Sequence, residues 1–230
     1  MPVLDRESRA PVRDTDPLHP ERAGRPPTAP PPVNGHGDGE SWSSGGRPFI
    51  SNARLGMLML LCSEGVFFGG LIIAFLDLRL GAAQWPPPGQ PRLPVGLTAL
   101  NTAVLLLSSY TMGRARAAAR AGDRHLLGRR LALTWGLGGL FLVVQGVEWV
   151  RLVRFGLTVA SGVYGATFYT LIGVHGVHVL GAVTWLGVVL ALAARGRFTP
   201  GESTGLQCCA MYWHFVVALW PLLYLLVYLA

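Results

Sequence analysis

Among the polar side chains inside otherwise apolar stretches of this 230-residue chain are Glu64, Gln145, Glu148, His175, His178 and His214. Their types could support proton chemistry, ligand binding or helix pairing. Glu64 is isolated in Ser63-Glu64-Gly65-Val66-Phe67-Phe68. A carboxyl within a membrane span is costly unless it is paired, protonated or turned toward protein. Two readings of Glu64 follow: a structural pairing to a histidine or backbone group, and a proton-linked or lipid-linked role. Gln145 and Glu148 are three residues apart and share a helix face, as do His175 and His178. Two histidines on facing helices at one depth can hold a b-type haem, and His175 or His178 with His214 meets that minimum. A di-metal carboxylate bundle needs a Glu three residues before a His on two helices, and no Glu here precedes a His by three. The favoured reading is that the histidines are hydrogen-bonded packing groups between helices, with no metal ligand and no catalytic residue in this chain. None of the glycine runs follows a strand or precedes a Lys, which excludes a phosphate loop. No nucleophile, base and orienting group line up as a triad.

The elements that must position these residues are membrane spans. The chain is 51% hydrophobic and 13% charged, with mean hydropathy +0.42, where soluble domains carry nearer 25% charged residues. Five apolar runs, at about 55–76, 95–113, 131–150, 166–194 and 206–230, are each long enough to cross a bilayer as a helix. The fold class is therefore all-α, an integral membrane bundle of five transmembrane helices. Pro221 falls inside the last run, where neighbouring helices can satisfy the freed carbonyl. In the second run Asn101, Ser108 and Ser109 project on one stripe with a helix-packing role. The glycine patterns Gly65-xxx-Gly69, Gly136-Gly138-Gly139 and Gly173-xx-Gly176 predict close helix approach. Tyr224 and Tyr228 fit an interfacial aromatic belt.

Residues 1–50 read differently. They hold ten prolines and clusters of Gly and Ser, with no sustained apolar periodicity, the composition of a disordered, partly polyproline tail. The stretch lacks the apolar core and cleavage site of a signal peptide. Every basic residue is Arg. The net charge of +7 lies in short connections between apolar runs, so membrane topology explains it better than nucleic-acid binding does. Fifteen arginines in the tail and in the 114–130 and 195–205 connections oppose four on the other side. The positive-inside rule then places the N-terminus in the cytoplasm and the C-terminus outside. Cys62, Cys208 and Cys209 read as buried or lipid-modified thiols, buried being favoured.

Several strings together carry a family resemblance. They are Ser63-Glu64-x-x-Phe67-Phe68-Gly69-Gly70, Trp85-Pro86-Pro87, Leu100-Asn101-Thr102 with Ser108-Ser109, Gln145-x-x-Glu148-Trp149, Ser161-Gly162-x-Tyr164-Gly165-x-x-Phe168-Tyr169, Gly173-x-His175-Gly176-x-His178-Val179 and Tyr212-Trp213-His214-Phe215-Val216. In this order, from about Arg54 to the C-terminus, they resemble subunit III of the haem-copper respiratory oxidases, in its five-helix bacterial form. The resemblance implies a subunit that binds no haem or copper itself and packs on the catalytic subunit I beside subunit II. It also implies bound phospholipid and support for proton uptake and for durability during turnover. Its place would be the bacterial cytoplasmic membrane. The family's carbodiimide-reactive carboxylate maps onto Glu64. Gln145, Glu148, His175, His178 and His214 match positions used as buried polar contacts, and Gly173 and Gly176 belong to the same histidine string. One position departs: where the family usually places Asp after Trp-His-Phe-Val, this chain has Val217. Pro221 is similar to the relatives associated with nitric oxide reductases, which makes an accessory subunit of such an enzyme the alternative. A small proton-relay transporter and a b-haem anchor are further readings. The transporter predicts inverted repeats, and five spans do not divide into equal halves.

Overall fold

The computed structural model describes residues 51–89, 93–197 and 203–229. The chain divides into Met1–Gly46 and Arg47–Ala230. The first unit, and with it the expected disordered tail, lies outside the described residues. The described part of the second unit is all-helical: α1 Asn52–Leu80, α2 Val95–Arg120, α3 Arg124–Arg154, α4 Val163–Ala194 and α5 Thr204–Tyr224, with a π-helical turn Leu225–Leu229 after α5. Each helix is long and apolar enough to cross a membrane.

The helices run past their apolar cores. The Arg-rich segment expected to connect the second and third spans is itself mostly helical, because Ala and Arg are good helix formers outside the bilayer. Only residues 121–123 separate α2 from α3. Gly122 takes φ +74°, its N–H reaching the Ala119 carbonyl and that of Asp123 the Ala118 carbonyl. This left-handed turn ends α2. The Asp123 side chain then caps α3 by accepting from the Leu126 N–H at 2.8 Å, which satisfies one of the four free donors there.

Four helices close a ring: α2 packs on α3, α3 on α4, α4 on α5, and α5 returns to α2. The fifth helix, α1, lies outside against α5 and α4. Its position shows in its burial, since only 11% of its most apolar stretch is covered against 39% in α2 and α5. The bundle's outer surface is apolar, with Val66, Ile73, Val143 and Val177 each at least 64% exposed. Such a surface suits hydrocarbon, where helices must satisfy their own backbone. The interior holds Trp213, Trp220, Phe68, Phe141 and Phe168, all under 2% exposed.

Three sequence expectations need correction. Tyr224 and Tyr228 are not an interfacial belt; they are buried, and the Tyr224 hydroxyl donates inward to the Val95 carbonyl at 3.1 Å. Cys62 is exposed, while Cys208 and Cys209 are buried, because α1 presents most of its circumference outward. The glycine patterns also divide. A Cβ at Gly65, Gly69, Gly136 or Gly139 would meet nothing within 4 Å, but one at Gly138 would stand 2.4 Å from the Trp213 ring. A tryptophan, not a second helix backbone, fills the space that glycine leaves.

Candidate functional site

The seam between α1 and α4 holds the isolated carboxyl. Glu64 Oε2 lies 3.0 Å from His178 Nε2, with the two side chains 20% and 19% exposed. His178 Nδ1 sits 2.7 Å from the Val174 carbonyl one turn earlier on α4. A carbonyl can only accept, so Nδ1 carries a hydrogen and Nε2 is left to face the carboxyl. The two groups stand at ion-pair distance, although Glu64 Oε2 accepts no hydrogen bond among the described residues, so the contact is one of proximity and charge. A carboxylate beside an imidazolium is neutral as a unit, which suits an apolar surrounding. The phenyl ring of Phe68 stands edge-on to His178, with ring centres 5.1 Å apart, and Phe67 lies 6.3 Å from the same imidazole.

A second polar group sits inside the four-helix ring. Glu148 of α3 is 1% exposed, with its carboxyl oxygens 3.0 and 3.1 Å from the Thr98 hydroxyl of α2. The Tyr228 hydroxyl also bonds it, as does Gln145. Gln145 Nε2 donates to the Tyr228 hydroxyl at 3.3 Å. Three helices are thus tied at one level by neutral donors and acceptors around one acid. Below it, Asn101 donates to the Phe141 carbonyl at 3.2 Å, and the Trp220 indole donates to Thr102 at 2.9 Å. These are the interhelical hydrogen bonds that hold membrane helices in register.

The remaining histidines go separate ways. His214 Nδ1 is 2.6 Å from the Ser109 hydroxyl, tying α5 to α2. Ser108, its neighbour, bonds only its own helix at the Leu105 carbonyl. His175 is fully buried and stacks on Trp220, ring centres 5.1 Å apart. His214 is six residues before Trp220, about 9 Å along the axis, so the structure does not bring His175 and His214 to one level as a haem would require. Among the described residues no three His, Cys, Asp or Glu side chains converge on a metal-sized site.

Residues 45–230 match the family described as cytochrome c oxidase subunit III. The chain is 37% identical to cytochrome c oxidase subunit 3 of Gadus morhua over 187 residues, covering 79% of this chain and 70% of the relative. It is 35% identical to the protein of that name from Sus scrofa over 181 residues, covering 76% and 68%. The chain belongs to the cytochrome c oxidase subunit III family. It is a multi-pass chain of a haem-copper oxidase complex, and the five apolar helices agree with that.

Within this subunit III fold, several partners were not singled out from sequence. Thr98 is the plainest. It continues the buried stripe of Asn101, Leu105 and Ser108 on α2 one turn toward the N-terminus, so extending the period backward would have found it. Tyr228 is four residues beyond Tyr224 and eight beyond Trp220, all three buried, so the same helical spacing would have placed it inward. Arg54, counted above with the tail, is in α1 and donates to Gln207 of α5. The departure at Val217 falls one helical turn before Trp220, the ring that covers His175. Val217 is buried and offers no hydrogen bond. Both ring nitrogens of His175 are without a partner among the described residues.

Proposed function

We propose that this chain is the non-catalytic subunit III of a proton-pumping terminal oxidase in a bacterial cytoplasmic membrane, with its N-terminus cytoplasmic. It packs on the catalytic subunit I beside subunit II, which hold the haem and copper. It has no active site of its own. It binds phospholipid and supports proton uptake and turnover lifetime. The observation that carries this reading is the Glu64–His178 pair: an acid in a span, 3.0 Å from an imidazole, at a seam that is part open. A carboxyl beside an imidazole can pass a proton from one to the other with no change in net charge, whereas net uptake or release must be matched by a second proton or charge movement nearby.

The test begins with gentle detergent purification through a tag on this chain, followed by mass spectrometry, an optical spectrum and oxygen consumption. Recovery of a haem-copper large subunit that consumes oxygen supports the proposal. A large subunit that turns over nitric oxide instead would transfer the chain to the alternative enzyme. Glu64→Gln is expected to leave assembly and initial turnover near wild type while shortening the active lifetime. Loss of the whole complex would instead make the residue structural. A double-mutant cycle with His178→Leu, read from thermal inactivation, should return a coupling of about 0.5–1 kcal/mol, as for contacting side chains that are part exposed.

A further inference from the structure

Of the 29 residues in α1 only Met57, Phe68 and Phe75 are buried. Phe68 and Phe75 face the rest of the chain, their rings against His178 and Trp85. The opposite side has an ordered composition. Met59, Val66, Ile73 and Leu80 recur every seven residues and are each at least 64% exposed. Gly56, Ser63, Gly70 and Asp77 recur at the same interval, next to them along the helix face, and are exposed as well. With 3.6 residues per turn the aliphatic row lies about 160° around the helix from Phe68 and Phe75.

The outer face is therefore a heptad, small or polar at one seam position and aliphatic at the other, sustained from residue 56 to residue 80. Hydrocarbon chains impose no period on the helix they solvate. A seven-residue repeat is what a second helix requires, because it keeps one seam in contact as the pair winds left-handed. The aliphatic side chains then act as knobs, and the glycines and serine leave the holes. A Cβ on Gly56 or Gly70 would meet nothing within 4 Å. Neither glycine is needed for packing inside this chain, although each is a weaker helix former than alanine.

Asp77 defines the chemistry of the partner. It takes the outermost small or polar position of the heptad, is exposed, and its carboxyl meets no hydrogen-bond or ion-pair partner among the described residues. Arg79, two residues on, is engaged at the Leu226 carbonyl. A second copy of this chain would insert in the same orientation and set Asp77 against Asp77 across a two-fold axis, a like-charge contact. A different helix with Arg or Lys at that depth forms an ion pair instead.

We propose that the outer face of α1 docks one transmembrane helix of a neighbouring subunit, crossing left-handed at about 20°. Aliphatic side chains of that helix fill the holes at Gly56, Ser63 and Gly70, and a basic residue at its outer end meets Asp77. The seam rests on the reading of this chain as one subunit among others, and owes nothing to the proton-linked role of Glu64.

The test places the photoreactive residue p-benzoylphenylalanine at position 59, 66 or 73 of the full-length chain, one at a time, in the intact purified complex. After illumination, crosslinked peptides are mapped by mass spectrometry. All three positions should attach to one helix of one other polypeptide, at points that advance by about seven residues per step. Gly70→Leu fills a hole without touching the rest of this chain, and should cut the crosslink from position 66 about tenfold or more. Asp77→Arg should cut it by a similar factor through like charge, and changing the basic residue of the mapped peptide to Glu should restore it. Adducts with phospholipid alone, or none, would make the face a lipid-covered surface and overturn the proposal. Crosslinks between two copies of this chain, crosslinks scattered over several helices, or yields unchanged by both Gly70→Leu and Asp77→Arg would overturn it too. The optical spectrum and oxygen consumption of the same preparation report separately on the oxidase reading: a heptad crosslink in a complex without haem would sink that reading and leave the seam standing.

Discussion

Gly138→Ala is expected to lower the melting temperature of the purified complex sharply, and Gly138→Leu to abolish its accumulation in the membrane. A Cβ at this position would stand 2.4 Å from Trp213 Cη2, 3.0 Å from Cζ2 and 3.1 Å from a methyl of Val183. Trp213 is 1% exposed and rigid, so it cannot swing aside as the end of a lysine would. Overpacking a filled core costs about 1–3 kcal/mol even when the neighbours relax. Here three helices meet at the contact, and movement of the indole would disturb α3, α4 and α5 together. The control lies in the same segment. Gly136→Ala and Gly139→Ala add a methyl where nothing stands within 4 Å, and alanine is the better helix former by roughly 1 kcal/mol. Those two variants should melt at or above the wild-type temperature. Equal melting of the three alanine variants would show that Trp213 does not seat on Gly138.

Glu148→Leu should cost nearly as much, for a different reason. The carboxyl is the common partner of Thr98, Gln145 and Tyr228. Leucine fills similar space and answers none of them. Each buried group left unmade costs about 1–3 kcal/mol, although Thr98 retains the Pro94 carbonyl at 2.9 Å and Tyr228 retains Gln145. Glu148→Gln keeps shape and hydrogen bonding, and should fall much closer to wild type. Adding Thr98→Val to Glu148→Leu should recover nothing, because the Thr98 hydroxyl keeps its bond to the Pro94 carbonyl and is not stranded. Thermal denaturation of the four preparations, followed by loss of the monodisperse complex on size exclusion, separates the outcomes. If Gln and Leu destabilise equally, the cluster does not depend on hydrogen bonding.

These two sites show how far the sequence reaches. Apolar runs and arginine placement marked five spans because transferring charge into hydrocarbon is costly and length follows from the helical rise. The isolated residues Glu64, Gln145, Glu148, His175, His178 and His214 were conspicuous for the same reason, and motif order pointed to the subunit III family. Which neighbour each would meet was not legible. His175 and His178 share a face of α4, yet α1 docks so that only His178 reaches Glu64, while His175 turns to Trp220. Among the three glycines at 136, 138 and 139, only the docking of α5 decides that Trp213 rests on the middle one.

The physical reason is the solvent. In water an apolar stripe marks the buried face of a helix, but in a bilayer the outer face is apolar as well. Hydrophobic periodicity therefore says little about which side of a membrane helix is inside. Sequence determined where the helices are and which few side chains need partners. Packing, through the fit of large rings against small residues and the pairing of scarce polar groups, decided who those partners are.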